Sequence, residues 1–359
     1  MKVSVIAVSE LDAPLITAWG QLQASDDALR SPYYRPEFTQ LVASSGHPVR
    51  VAVIESMGKP AGFFPHGMDR WGQLRPVGAS LNDYHGIIAQ QGLVMDAGAL
   101  LKACGATYFG FNHMPLTQAT FAPYVRLHSI SPVLDLQGGW EAYVQRLAVA
   151  QNTRVPGILN TVKTSSKRLE RDLGPLRFEM DERNPAVLET LMRLKSEQWV
   201  RTAGAGHDAF AIPWIKRLLL TGLETRGDDF RGILSALYAG DKLVSAHFGI
   251  QTRSTLHYWF PVYDQAHAYY KPGLILLQKM AEQAPGLGLS LIDLGRGTQD
   301  YKMRFKTRAI DLGEGAVSRP SFVAPLFMAA RTAKQQVRQA TPVVRFRQWL
   351  AGARKSAPH

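Results

Sequence analysis

Between residues 230 and 263 three short runs rich in β-branched and aromatic residues follow one another with almost nothing between them. Phe230 to Tyr238 ends at Ala239-Gly240-Asp241, Leu243 to Gln251 ends at Thr252-Arg253-Ser254, and Leu256 to Tyr263 completes the set. Connections this short join antiparallel neighbours, so the three runs predict a meander of hairpins. Two helical patterns precede it. Ala186 to Thr202 places Leu188, Leu191, Met192 and Trp199 on one face, and Phe210 to Thr225 does the same with Ile215, Leu218, Leu219 and Leu220. After it come a loop ending in Lys271-Pro272-Gly273, a helix from Leu274 to Gln283 and a buried strand from Ser290 to Leu294. Gly295-Arg296-Gly297 breaks that strand; a short amphipathic piece from Tyr301 to Lys306 and a last strand near Ala309 to Val317 follow. Strands and helices mixed in this order predict an α+β fold.

The first half offers a similar, weaker succession. Arg50 to Glu55, Ala61 to His66 and Gln73 to Val77 read as strands, with turns at Gly58-Lys59-Pro60 and Trp71-Gly72. A helix at Ala97 to Cys104, strands at Thr107 to Asn112 and Val133 to Leu136, and a helix at Trp140 to Ala148 follow. The basic stretch from Arg154 to Arg177, stopped by Gly174-Pro175, reads as a connector between two halves. A chain of 359 residues suits about two domains. We therefore expect domains over 1–150 and 151–318 and a basic, partly helical tail over 319–359.

Composition narrows the function. With 46% hydrophobic and 19% charged residues the chain is expected to fold, and no apolar run approaches the ~18 residues of a membrane span. Glu10 and Asp12 come too early for a signal peptide, and a single cysteine, Cys104, excludes a disulfide framework or a cysteine metal cluster. A reducing cytoplasm is the expected compartment. The net charge of +12 is concentrated: eight Lys and Arg and no acid follow Glu314. Interleaved with Phe322, Phe327, Phe346 and Trp349, that tail is either a solvated appendage or a segment suited to an anionic membrane at the inner face. Nucleic acid is a weak option, because no recognition motif accompanies the charge.

Two segments carry chemistry. Tyr270-Lys271-Pro272-Gly273-Leu274 opens a helix with Pro in its first turn, so unpaired amides and the positive end of the helix dipole face the loop. Such an end binds phosphate; Gly273 allows close approach and Lys271 adds charge. The plainer alternative is an ordinary helix start. The second segment runs from Asp293 to Lys306, where a buried strand ends in a carboxylate and a Gly-Arg-Gly turn leads into Tyr301-Lys302.

This second segment is similar to the Asp-x-Gly-x-Gly-x-x-x-Tyr-Lys-x-x-Phe block of the CelD/BcsL-type acetyltransferases, a branch of the GNAT acyltransferases tied to cellulose and other surface polysaccharides. Ser245 to Gly249, Tyr258-Trp259-Phe260, Tyr263-Asp264 and Pro272-Gly273 fit the same pattern, and Ser31 to Tyr34, Phe64-Pro65, Arg75 to Gly78 and Asp83-Tyr84 echo it in the first half. The block also resembles one in the Fem-type peptidoglycan aminoacyltransferases. The resemblance spans roughly residues 10–315. It implies tandem GNAT-like domains with mixed, mostly antiparallel sheets, and acyl transfer from acetyl-CoA or another acyl-CoA, without a metal, to an amine or hydroxyl of a sugar or cell-envelope precursor. A Fem-like transferase with an aminoacyl-tRNA donor and a non-catalytic scaffold are the alternatives. The usual Arg/Gln-x-x-Gly-x-Gly/Ala phosphate string is missing.

Acyl transfer needs a base, fixed donors for the thioester carbonyl and a proton for the leaving thiolate. His247 is a candidate base, since strand alternation turns it away from the apolar face of Ala246, Phe248 and Ile250, although a structural histidine fits as well. Asp293 is a candidate base or orienting group, and Tyr301 a candidate proton donor. Lys302 suits either a donor phosphate or a salt bridge to Asp293. Tyr258 and Trp259 read as cleft wall. Asp83 and Tyr84 are acceptor-site candidates; read on a strand, Asp83, Tyr84 and His85 alternate between faces, so the three cannot all converge.

Overall fold

The computed structural model describes residues 1–319. All of the expected tail except Arg319 lies outside the described residues, and with it the membrane contact read from it. The first half contains β1 (Lys2–Ala7), α1 (Ala13–Ala24), α2 (Pro36–Ser44), β2 (Arg50–Ser56), β3 (Lys59–Met68), β4 (Leu74–Arg75), β5 (Ile88–Ala89), α3 (Ala97–Ala103), β6 (Tyr108–Pro115), β7 (Val125–Asp135) and α4 (Gly139–Ala150). The second contains α5 (Gly157–Leu173), β8 (Leu176–Glu179), α6 (Pro185–Ala203), α7 (Pro213–Glu224), β9 (Arg231–Ala239), β10 (Lys242–Gln251), β11 (Thr255–Tyr263), α8 (Pro272–Gln283), β12 (Leu291–Asp293), α9 (Asp300–Phe305) and β13 (Arg308–Ser318). The hairpin meander is present as β9, β10 and β11, paired antiparallel.

The basic stretch at 154–177 is not a bare connector. Ile158, Val162 and Leu169 recur at helical spacing and are buried, while Lys163, Lys167, Arg168 and Arg171 keep to the exposed or half-buried side, so the segment folds as α5. Gly174 ends it at φ +104 and packs against Gly240, where a side chain would bring its Cβ to 3.2 Å from the Gly240 Cα. The chain then enters β8, the edge strand beside β9.

One sheet runs through both halves in the order β1-β2-β3-β4-β6-β13-β7-β12-β11-β10-β9-β8. The central strands interleave: β7 of the first half lies between β12 and β13 of the second, and β13 lies between β6 and β7 of the first. The largest apolar cluster also mixes the halves, joining Trp19, Tyr33, Phe38 and Phe63 to Leu188, Leu218, Phe248 and Phe260. The expected boundary at residue 150 falls between α4 and α5, whereas the sheet and this core run across it.

The feature that positions the site is the pairing of β11 with β12. It is parallel and short: Thr255 faces Leu291, Leu256 faces Ile292, His257 faces Asp293, and there the ladder stops. Beyond it β11 continues to Tyr263 with β10 as its only strand partner among the described residues, so the described sheet opens a gap beyond His257 and Asp293.

Candidate active site

Leu256 and Ile292 point into the core under α8, and alternation sends His257 and Asp293 to the opposite face. There Asp293 is 2% exposed and surrounded by donors. The Gly295 amide reaches its Oδ1 at 2.9 Å, the Ser131 hydroxyl donates to Oδ1 and the Tyr84 phenol donates to Oδ2. His257 Nδ1 lies 3.9 Å from Asp293 Oδ2, an ion-pair distance and too long for a hydrogen bond. On its other side His257 Nε2 meets Asp83 Oδ2 at 3.0 Å, and His113 Nε2 approaches Asp83 Oδ1 at 3.2 Å. The Tyr33 ring stands edge-on to the imidazole, with ring centres 4.8 Å apart.

The charges in this chain are fixed by one another. Burial disfavours the charged form of each group, but the imidazole lies between two carboxylates, which raise its pKa to about 9. Burial works against Asp83 too, yet its hydrogen bond to His257 and the charges of His257, His113 and Lys302 hold it down at about 2. Asp293 is held below the ordinary carboxylate range by His257, Ser131 and Tyr84 despite its burial. At neutral pH the site is thus anion, cation, anion. Burial and the neighbouring Asp293 push the Tyr84 phenol far upward, so it remains a proton-bearing donor. Burial lowers His113, with Asp83 opposing.

The loop carrying Asp83 and Tyr84 is not a strand, which corrects the strand reading of this stretch: Asp83 and Tyr84 reach the site and His85 does not. Gly78 at φ +70 starts a short 3-10 turn over Ala79–Leu81. The Asn82 side chain then accepts the Tyr84 amide at 2.7 Å, and His85 folds back onto the Asn82 carbonyl at 3.0 Å. The result brings Asp83 and Tyr84 to the same His257–Asp293 pair. Three bonds hold the loop against its surroundings: the His85 amide donates to the His113 carbonyl at 3.0 Å, the Tyr34 phenol donates to the His85 carbonyl at 2.9 Å, and the Trp259 indole donates to the Leu81 carbonyl at 3.0 Å. Trp259 is therefore a brace between the halves.

Lys302 also departs from expectation. Its ammonium, on a side chain only 7% exposed, donates to the Gly295 carbonyl at 2.9 Å and the Arg296 carbonyl at 3.0 Å. It braces the Gly-Arg-Gly turn and forms no ion pair with Asp293. His247 does not join Asp293. Its ring is fully buried on the other face, stacked on Tyr258 at 4.4 Å, and burial lowers its pKa well below the ordinary value. Tyr301 packs on that same side, against the core containing Tyr258, Leu294 and Phe305, and burial pushes its phenol up to about 12. At the start of α8, Lys271 adopts a left-handed backbone at φ +53 and no side chain caps the helix; Gly273 and Leu274 follow in its first turn. Tyr269 and Tyr270 just before it meet α5: Arg168 lies 3.3 Å from the Tyr269 hydroxyl and Tyr270 donates to Asp172 at 3.1 Å.

The sequence reading missed His257, Ser131, His113 and Tyr33. A usable signal existed for His257 alone: alternation along β11 puts it opposite Tyr258, on the face to which a parallel partner would bring Asp293. Among the described residues no group of three or more His, Cys, Asp or Glu is arranged to hold a metal ion, and no helix is long and apolar enough to cross a membrane.

With this geometry in view, the family comparison is decisive for the fold. Residues 158–303 match the model of the acetyltransferase (GNAT) domain. The fold is the GNAT fold. Solved structures extend the likeness over the whole described chain. FemX is 12% identical, with 92% of this chain and 99% of FemX covered at a TM-score of 0.56. The C-terminal domain of a protein assigned as a lysylphosphatidylglycerol synthetase, from Agrobacterium fabrum, is 14% identical, with 88% and 96% covered at 0.50. A conserved protein of unknown function from Bacteroides thetaiotaomicron is 12% identical, with 85% and 97% covered at 0.51. No curated protein matches the sequence. The GNAT domain supports an N-acyltransferase as the enzyme class.

Proposed function

We propose that the chain transfers an acyl group, acetyl in the simplest case, from an acyl-CoA to an amine of a sugar or cell-envelope precursor. The observation that carries this reading is the position of Asp293, ionised and at the point where β11 and β12 part. In this reading the thioester enters where the pairing stops, between β11 and the segment leaving β12. The amides of β11 past His257 have no strand partner on that side and supply donors for the carbonyl oxygen. The uncapped start of α8, with Lys271, Gly273 and Leu274, and the cationic side of α5 beside it suit the donor's phosphates. As the acceptor nitrogen bonds to the acyl carbon, its proton passes to the Asp293 carboxylate, with Tyr84 holding the carboxylate in place. The C–S bond breaks as the tetrahedral centre collapses, and the Tyr301 phenol protonates the departing thiolate. A carboxylate held below its usual range is a weak base. It suits an amine, whose proton becomes acidic on attack, better than an alcohol.

The resemblance of the Asp293 to Phe305 block to the CelD/BcsL type supports a saccharide acceptor, and the basic segment after Glu314 suits peripheral contact with an anionic inner membrane face in the cytoplasm. His247 and Tyr258 then act as buried wall beneath the gap, and Asp83 and Trp259 as supports.

A Fem-like reading with an aminoacyl-tRNA donor is favoured by one observation, the cationic side of α5 next to the α8 start. Acetyl-CoA separates the two, because a ligand of the native state raises the unfolding midpoint. The expected result is a rise with acetyl-CoA and a fall of roughly 10²–10⁴-fold in turnover for Asp293→Asn with the donor-induced rise intact. No rise with acetyl-CoA, together with strongly salt-dependent tRNA binding, would transfer the case to the Fem-like reading. No response to either ligand would leave a scaffold.

A further inference from the structure

Three cavities adjoin one another through shared lining residues on the side of Asp293 where the β11–β12 ladder begins. The middle one, about 190 Å³, has Tyr84 and Asp293 in its wall, together with Thr255 and Leu291. These last two are the first rung of the β11–β12 ladder, whose final rung is His257–Asp293. The middle cavity therefore approaches Asp293 from the beginning of the ladder, and the gap proposed for the donor lies beyond its end. The middle cavity shares Arg308 with a cavity of about 450 Å³ between α4 and the start of β13, and shares Asp27 and Arg30 with one of about 610 Å³ along α1.

Size argues against a small free acceptor. Self-contained ligand pockets run to roughly 300–1,000 Å³. The middle cavity falls below that range, while the three taken together exceed it. Charge argues against a polyanion. The guanidinium groups along the groove are matched by carboxylates: Arg30 to Asp27 at 3.1 Å, Arg35 to Glu37 at 2.7 Å, Arg308 to Asp135 at 3.2 Å, and Arg253 to Asp229. A lining of paired charges leaves little field to hold a row of phosphates, but offers in-plane donors and acceptors to hydroxyl and amide groups.

We propose that the acceptor is an extended, hydroxyl-rich chain of little net charge, an oligosaccharide, lying across all three cavities with the amine of an inner unit at Tyr84 and Asp293. This rests on the acyltransferase reading and makes it narrower: the enzyme modifies a chain already assembled, so the reaction supplying its acceptor is a glycosyl transfer that lengthens the chain.

The test uses the full chain, with glucosamine and its β-1,4-linked oligomers of two to six units as probes, followed by calorimetric titration. The expected result is at least a tenfold gain in affinity between one and four units. The exposed positions Thr17 and Gln145 line the two outer cavities and touch none of the catalytic groups. Thr17→Trp and Gln145→Trp are expected to remove most of that gain while leaving monomer binding and the acetyl-CoA midpoint shift unchanged. Affinity independent of length, or retained by both variants, would overturn the proposal, as would the absence of any saccharide binding. In each of those cases a preserved acetyl-CoA shift keeps the acyltransferase reading standing. Loss of that shift in the unmodified protein instead removes the reading itself.

Discussion

At the scale of single residues the site is an ion chain that only burial makes strong. His257 sits between Asp83 and Asp293 with 1% of its side chain exposed. Its pKa is raised from 6.5 to about 9, so the stabilisation it brings is complete below pH 6.5 and is lost as pH rises through 9. The size is on the order of 3 kcal/mol. Asp83, lowered from 3.8 to about 2, works in the other direction: its contribution is present above 3.8 and is lost as pH falls through about 2. Urea unfolding at pH 6 and pH 9.5 should show the first effect, and His257→Gln should flatten the decline; equal slopes in both proteins would refute the assignment of the cation. Removing the carboxylate from the buried pair is costlier. Asp293→Ala leaves His257 facing one anion and orphans the Tyr84 and Ser131 donors, and should lower stability by about 3–5 kcal/mol. Asp293→Asn, which keeps the shape, is the variant for kinetics.

At the scale of elements, turns decide where these side chains go. Gly295 has φ +71, and a Cβ there would stand 2.8 Å from Asp83 Oδ2. Gly295→Ala should therefore cost about 1–3 kcal/mol from backbone strain and also push Asp83 off His257. The expected signature is a drop in turnover larger than the loss of stability explains, together with a His257 pKa moved down toward 6.5, read by NMR titration. Gly232 provides a contrast away from the chemistry. Its β9 backbone packs so closely on α7 that a Cβ would fall 2.2 Å from the Gly222 carbonyl. Gly232→Ala should lower the unfolding midpoint with the His257 titration unchanged, since it separates α7 from the sheet without reaching the site.

At the scale of the whole molecule the halves share what holds them together. Each central strand that would close one half is flanked by strands of the other, and the largest core cluster draws on both. A fragment of residues 1–150 would leave β6 without β13 and β7 without both β12 and β13. It should expose those edges and fail to give a cooperative transition. The intact chain should unfold in a single calorimetric step; two well-separated steps would contradict the shared core. The same sharing explains why the candidate site takes Asp83 and Tyr84 from one half and His257 and Asp293 from the other.

How much of this was legible beforehand follows the range of the interactions. Element order in the second half was readable because hairpin turns and helical spacing are local signals, and the block from Asp293 to Phe305 begins where β12 ends. Asp83 and Tyr84 were legible as residue types, but the turn held by Asn82, which sends both to the His257–Asp293 pair, was not. His247 had the same local pattern as a working base, and its place against Tyr258 depends on which face the neighbouring layers cover. Ser131 and His113 had no local signal to distinguish them from core residues, and His257 had only its alternation along β11. The sequence alone determined the kinds of elements, their order and the carboxylate at the strand end, because these rest on neighbours within a few residues. Only the tertiary structure decided that the strands interleave and that His257 is clamped between Asp83 and Asp293, because those contacts join residues 174 and 36 positions apart, across a parallel ladder and two halves of the chain.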